Sequence, residues 1–244
     1  MKIGVYGLGR FGSFFSSVLS RGEAEVIAAS RSVHTPPDGV SIRPLEEVLS
    51  ADYLFFAVSI SSFESVLRSL APMIGKDTVV LDTCSVKVYP AKWMKENLPH
   101  NFKIATHPMF GPDSARGGLE GLPFVFSPID GKDDERYEEI KSYISSLGLK
   151  AIEMSVHDHD KEAAYSQGVT HFVGRTLEEM HMEPTEIATN GYKMLMRIVE
   201  ETCNDSLELF YDLQRFNPYA KEMRLSLQVA IEKVLNRLRS KEEY

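Results

Sequence analysis

The amino-acid sequence predicts an α/β protein in which an N-terminal, doubly wound, mostly parallel sheet is followed by a small all-helical domain. Three features point there. Short apolar runs alternate with helix-length segments as far as Met154. A glycine turn, Gly7-x-Gly9-x-x-Gly12, joins the first of these runs directly to the first helical segment. Beyond Met154 apolar residues recur at spacings of three and four, with no strand candidate. Alternating strands and helices build a parallel sheet with crossovers, whereas a 3.6-residue period builds helices.

Taken in order, Lys2–Tyr6 is a strand running into the glycine turn, and Phe11–Leu19 follows with helical periodicity, ending before Gly22. Glu25–Ala29 is the second strand. Asp52–Val58 is a continuous apolar run, the pattern of a strand buried on both faces. Phe63–Leu70 is helical and stops at Pro72. Thr78–Asp82 is another buried strand, ending in Asp82-Thr83-Cys84-Ser85-Val86-Lys87, and Lys92–Asn97 is helical before Pro99. Phe102–Thr106 is a strand with His107 at its mouth; Pro108, Gly111 and Pro112 then impose an irregular loop. A strand at Phe124–Ser127, a helix at Glu135–Leu147 and a strand at Lys150–Met154 complete the first domain. Helices follow at Asp158–Met180, Thr185–Glu201, Ser206–Phe216 and Pro218–Arg239, with breaks at Pro184 and Pro218, the latter suited to a first helical turn. The domains are therefore residues 1–154 and 155–244. The helical block is thin for an independent domain, so its apolar faces are expected to pack on the sheet domain and on a second subunit.

Composition narrows the function. A net charge of −8 argues against a nucleic-acid surface. No run approaches the ~18 apolar residues of a membrane span. Cys84 and Cys203 make no disulfide framework and suit a reducing compartment. Strand-like sequence beginning at Lys2 leaves no signal or transit peptide, so a cytoplasmic protein is expected.

In an open α/β sheet ligands bind beyond the carboxyl ends of the strands. In the glycine turn, Gly7 permits the tight bend, Gly9 lets the backbone approach a pyrophosphate, Gly12 allows close helix–strand packing, and the helix N-terminus faces the phosphates. Between a strand and a helix this is a Rossmann-type dinucleotide signature. The second strand ends Ala28-Ala29-Ser30-Arg31-Ser32. A site for NAD places an acid there for the ribose 2′-hydroxyl; a hydroxyl and a guanidinium suit a 2′-phosphate instead, so NADP is expected. Arg10 offers a second cation. The expected cofactor set is Gly7, Gly9, Arg10, Phe11, Gly12, Ser30, Arg31, Ser32 and Ser59. His107 is placed to accept a proton beside a nicotinamide, as alcohol oxidation requires. The alternative is a structural histidine that caps a loop.

Gly7–Gly12, Ser30–Ser32, Asp82–Lys87, Thr106–Pro112, Glu153–Lys161, Ser166-Gln167, Thr170-His171, Gly191-Tyr192 and Asp205–Tyr211 together resemble the prephenate/arogenate dehydrogenase family of tyrosine biosynthesis, nearest its plant-type arogenate branch. The resemblance spans nearly the whole chain. It implies oxidative decarboxylation: hydride leaves ring carbon C4 for the nicotinamide, a base takes the C4 hydroxyl proton, CO2 departs from C1 and the ring becomes aromatic. It implies His107 as the base and Ser85 as a group that bonds the same hydroxyl or holds the imidazole. It also implies substrate binding by Ser114, Gln167, His171, Thr189 and Asp205, a homodimer through the C-terminal helices, and feedback inhibition by tyrosine. Gln167 and His171 are spaced to share one helix face, which fits a common ligand or a mutual bond. His157 and His159 fall at a helix start and are expected to be capping or surface groups; Tyr192 is expected to pack.

Two positions depart from the family pattern. Asn190 stands where plant-type enzymes carry a lysine for a substrate carboxylate, with Lys193 and Arg197 as candidates to compensate. Glu208 stands where many bacterial prephenate enzymes carry an arginine. Asp205 matches an acid associated with arogenate preference, and a carboxylate favours arogenate's ammonium over prephenate's keto group. Arogenate is therefore expected to be favoured, with a prephenate-preferring enzyme as the alternative. A β-hydroxyacid dehydrogenase shares the layout but uses a lysine on the long helix, where Lys161 lies too early. A non-catalytic NADP-binding regulator is opposed by the presence of both Ser85 and His107.

Overall fold

The computed structural model describes residues 1–32 and 35–242, which fall into two compact units, Met1–His159 and Asp160–Tyr244. The first contains an eight-stranded sheet. Its strands are β1 (Lys2–Tyr6), β2 (Glu25–Ala29), β3 (Ser41–Ile42), β4 (Tyr53–Phe56), β5 (Val79–Asp82), β6 (Lys103–Pro108), β7 (Pro123–Pro128) and β8 (Lys150–Glu153). They lie in the order β3-β2-β1-β4-β5-β6-β7-β8. Every neighbouring pair is parallel except β6 and β7. The helices are α1 (Arg10–Leu19), α2 (Leu45–Leu49), α3 (Ile60–Leu70), α4 (Val88–Asn97) and α5 (Glu135–Ser146). The chain winds outward from β1 to β3, then returns to lay β4 on the other side of β1. The order reverses between β1 and β4, which is where a doubly wound sheet opens its ligand crevice.

The strands read as expected because their residues are buried on both faces: all of Tyr53–Phe56 and Val79–Asp82 are buried. Phe15 of α1 meets Phe55 edge-on at 5.3 Å and stacks on Phe124 at 6.1 Å, joining both halves of the sheet in one core. The glycine turn is fixed by contact. A Cβ on Gly12 would stand 2.0 Å from the Gly7 carbonyl oxygen, and Gly7, at φ 107°, would place one 2.4 Å from that of Ala57. Only glycine allows α1 to lie this close to the ends of β1 and β4.

Some boundaries differ from the sequence expectation. β3 and α2 have no counterpart in the sequence pattern, because a two-residue exposed strand and a five-residue helix are too short to show a period. Helices α3 and α4 begin at Ile60 and Val88, a turn earlier than their apolar periodicity marks. β6 runs on to Pro108, so His107 belongs to the strand and not to the loop after it. The reason is its antiparallel partner: β7 pairs with β6 as far as Pro108, opposite Phe124, whereas β5 parts from β6 after Leu81 and Ile104. Pro108 is tolerated there because it has a paired strand on one side alone.

Where β5 and β6 part, side chains take over from the backbone ladder. Asp82 and Lys87 form an ion pair that is 0% exposed at both partners. The Asp82 carboxylate also accepts the Cys84 and Thr106 backbone N–H groups, each at 3.0 Å. Lys87 donates to the Thr106 carbonyl as well, and the Thr106 hydroxyl donates to the Asp82 carbonyl.

The division between the units falls within α6 (Val156–Ala163). A π-helical turn (Ala164–Gly168) leads on to α7 (Val169–Glu179), then α8 (Asn190–Cys203), α9 (Leu207–Phe216) and α10 (Ala220–Glu242). The single helix expected at Asp158–Met180 is thus continuous but carries a π turn. α8 begins five residues after the expected Thr185, because the Thr189 hydroxyl accepts the Tyr192 N–H at 3.2 Å and sets the helix start. Pro218 is not in the first turn of α10. Asn217 accepts the Tyr219 N–H at 2.9 Å, so Pro218 lies in the turn ahead of the helix. α7 and α8 approach closely: a Cβ on Gly174 would stand 2.1 Å from the Thr202 hydroxyl oxygen.

Removing one member of a buried ion pair leaves an uncompensated charge. Lys87→Ala is therefore expected to cost about 3–5 kcal/mol of stability. Urea unfolding measures this, and a loss no larger than that of an exposed lysine would show that the pair does not hold these strands.

Candidate active site

The carboxyl ends of β1, β2 and β4 carry the expected cofactor residues. Gly9 is the N-cap of α1 and no side chain caps that end of the helix. A Cβ on Gly9 would meet nothing within 4 Å, so space stands open above the turn. An uncapped helix N-terminus beside open space fits a phosphate group, and the chain fits a dinucleotide here. Ser30 is half-buried, while Arg31 and Ser32 are exposed at the end of β2. Ser59 stands at the N-cap position of α3 without a side-chain capping bond, its hydroxyl 2.7 Å from that of Ser62. Phe11 stacks on Phe15 at 5.5 Å, so it packs α1 against the core. Arg10, expected as a second cation, is paired with Asp113 from the loop after β6, which counters its charge. Ser114 in that loop accepts the Gly111 N–H at 2.8 Å and is exposed.

His107 is 3% exposed and Ser85, in the loop after β5, is 7% exposed. The imidazole is held from α6 and not by Ser85: Nδ1 of His107 lies 2.9 Å from Nε2 of His159. His159 is thus neither a capping nor a surface group, being 2% exposed. The cap of α6 is Ser155, whose hydroxyl accepts the Asp158 N–H at 3.1 Å; His157 is exposed as expected. A base acting at Nε2 of His107 needs the tautomer in which Nδ1–H donates to His159. Burial, then His159, then the Lys87 charge hold the His107 pKa well below its ordinary value. The imidazole is therefore neutral, and able to accept a proton, at neutral pH.

The helical unit brings a second set together. Gln167 lies in the π turn and His171 one turn later on α7; Gln167 Oε1 and His171 Nδ1 are buried without a partner. They therefore do not bond each other through those atoms, which favours the common-ligand reading. Burial and then the Arg175 charge push the His171 pKa down to about 4, so it too is neutral. Asp205 is half-buried in the turn between α8 and α9, and its carbonyl accepts from Arg175 at 2.6 Å. Thr189 is exposed and spends its hydroxyl on capping α8. Asn190, Lys193, Arg197 and Glu208 are exposed. Tyr192 donates its hydroxyl to the Glu183 carbonyl at 2.5 Å, a packing role.

Sequence reasoning assigned no role to Asp82, Lys87 or Arg175 and misplaced His159. A signal for His159 existed: it lies four residues before Ala163, on the buried face of α6, whereas His157 lies four before exposed Lys161. The Asp82–Lys87 pair had none, because a five-residue separation across a loop fits no helical or strand period.

A Rossmann-type sheet with a buried histidine at the carboxyl end of β6 has the layout of a dinucleotide-binding protein. The profile "Prephenate dehydrogenase, nucleotide-binding domain" matches residues 38–153, and "TYRAAT1-like, C-terminal domain" matches residues 176–244. Arogenate dehydrogenase 1 and arogenate dehydrogenase 2 of Arabidopsis thaliana, both named chloroplastic, are each 38% identical over 98% of this chain. The chain spans 39% of the length of the first and 70% of the second. A Synechocystis arogenate dehydrogenase structure superposes with a TM-score of 0.72 at 21% identity, over 99% of this chain and 93% of that one. The prephenate dehydrogenase of A. aeolicus, solved with hydroxyphenyl propionate and NAD+, gives 0.72 at 20% identity, over 98% and 90% of the two chains. The chain belongs to the prephenate/arogenate dehydrogenase family.

The depressed His107 pKa fixes a pH response. The neutral base is lost only as pH falls through that lowered value, so turnover should persist below pH ~6.5, the ordinary histidine pKa. His159→Leu removes one cause of the depression and should move the acid limb of the kcat/KM profile upward. A limb already at the ordinary value in the unmodified protein would rule the arrangement out.

Proposed function

We propose that the protein catalyses the NADP-dependent oxidative decarboxylation of arogenate to tyrosine. The observation that supports this most directly is His107: buried, neutral, held against His159, and set on β6 next to the strand whose following loop carries Ser85. NADP, when bound at the glycine turn, supplies the hydride acceptor. Gly7, Gly9 and Gly12 shape that turn, and the open α1 N-terminus receives phosphate. Exposed Arg31, with Ser30 and Ser32, meets the 2′-phosphate.

His107 takes the C4 hydroxyl proton while Ser85 bonds the same oxygen. As hydride and proton leave, the ring oxygen becomes a ketone. Loss of CO2 from C1 returns an electron pair to that oxygen, which recovers its proton from His107. Aromatisation drives the sequence, so the chain's task is to orient and to hold one proton. Gln167 and His171 recognise the substrate's polar groups, and the Asp205 carboxylate favours its ammonium. Tyrosine keeps that ammonium, which makes it a competing ligand. Cys84 and Cys203, neither in a disulfide, suit a reducing compartment.

Steady-state assays with both substrates and both nicotinamide cofactors test this. Arogenate with NADP should be the best pair, and Arg31→Ala should raise the KM for NADP far more than that for NAD. Equal use of NAD by the unmodified protein would refute the 2′-phosphate assignment. His107→Asn should lower turnover about 10²–10⁴-fold with NADP binding intact.

The working unit is a homodimer through the C-terminal helices. α10 leaves Leu225, Val229, Val234, Leu235 and Leu238 exposed, and a groove of about 680 Å³ lined by Phe172, Leu225 and Ile231 runs beside it. A surface this apolar is normally covered by a partner. Light scattering at micromolar concentration should give twice the chain mass; a stable monomer would contradict this.

A further inference from the structure

Arg175 lies on α7, one helical turn beyond His171, with a side chain 14% exposed. Its Nη2 donates to the Asp205 carbonyl at 2.6 Å and its Nη1 to the Glu178 carboxylate at 3.1 Å. Its guanidinium carbon lies 6.0 Å from the centre of the Phe210 ring. Asp205 directly precedes Ser206, which caps α9 by accepting the Leu209 N–H at 3.1 Å. Arg175 thus grips the turn at two points, the carbonyl of the acid itself and the first turn of the helix that follows. Gly174, which admits the Thr202 hydroxyl against the α7 backbone, closes α7 on α8 where the chain turns toward Asp205.

One donor of Arg175 is left out of these contacts. Its Nε is buried without a partner, and a donor left unpaired works against stability. A planar fork, however, holds two acceptors at a fixed angle, which an ammonium does not. We propose that Arg175 is the positioning residue of substrate choice: by holding the Asp205 carbonyl it fixes the backbone from which the Asp205 carboxylate projects, relative to His171 on the same helix. The inference rests on reading Asp205 as the acid that meets the substrate's ammonium.

The test compares kcat/KM for arogenate and for prephenate in the full chain, unmodified and as Arg175→Gln, Arg175→Lys, Asp205→Asn and the Arg175→Gln/Asp205→Asn double variant. Arg175→Gln should lower the arogenate-to-prephenate ratio by about tenfold, the worth of roughly one charged hydrogen bond. Arg175→Lys, which keeps the charge and loses the fork, should lower it less. Added to Asp205→Asn, the Arg175 change should shift the ratio no further, because both act through one contact. The KM for NADP should not move. A residue that only supports the fold would lower both efficiencies together and leave their ratio alone. That outcome, with Asp205→Asn still shifting the ratio, overturns the positioning role. An unchanged ratio in Asp205→Asn removes the reading of the acid itself, and this inference with it. Should Arg175→Gln fail to fold, the ratio in Arg175→Lys decides: unchanged, it too overturns the proposal.

Discussion

The buried pair of Asp82 and Lys87 is the constraint on which the active-site edge depends. Two opposite charges removed from water are tolerated only when their geometry is good and their remaining valences are filled. Here the carboxylate takes Lys87 and two backbone N–H groups, while Lys87 takes the Thr106 carbonyl as well. The pair therefore does more than join two side chains. It ties the loop carrying Ser85 to the strand carrying His107 at the point where the β5–β6 ladder ends. The two strands part there, yet their ends remain fixed with respect to each other.

The same lysine acts on the chemistry at a distance. Its charge is one of three causes that keep His107 unprotonated, after burial and His159. To accept a proton a buried imidazole needs two things, a lone pair and an orientation, and separate groups provide them. Burial and neighbouring positive charge protect the lone pair. The hydrogen bond to His159 and the antiparallel partner strand provide the orientation. Because His107 sits within the β6–β7 ladder and not in a loop, its backbone is held by the sheet.

The helical unit applies a similar economy. Gly174 brings α7 against α8, and the π turn at Ala164–Gly168 places Gln167 off the regular helical register, as such turns often do at functional sites. Gln167 and His171 each carry a buried polar atom without a partner on that stretch of helix. Arg175 connects that stretch to the turn of Asp205.

The sequence by itself determined the architecture and its ligand edge. Strands buried on both faces are long apolar runs, and a glycine turn between strand and helix leaves little conformational choice, so β1, β2, β4 to β8 and the cofactor turn were legible from residue order. His107 and the Gln167–His171 pair stand out by residue type and spacing, and the structure buries His107 and His171. What lacked a period was hidden. β3 and α2 were too short, and the extension of β6 through His107 arose from pairing with β7, a long-range contact. Only the tertiary structure decided which histidine orients which, since His107 and His159 lie far apart in the chain and meet through the return of α6 to β6. It also decided that Lys87 is buried with Asp82 and that Arg175 holds Asp205. Hydrogen bonds of this kind are set by where the backbone returns in space, and no local pattern of residues records that.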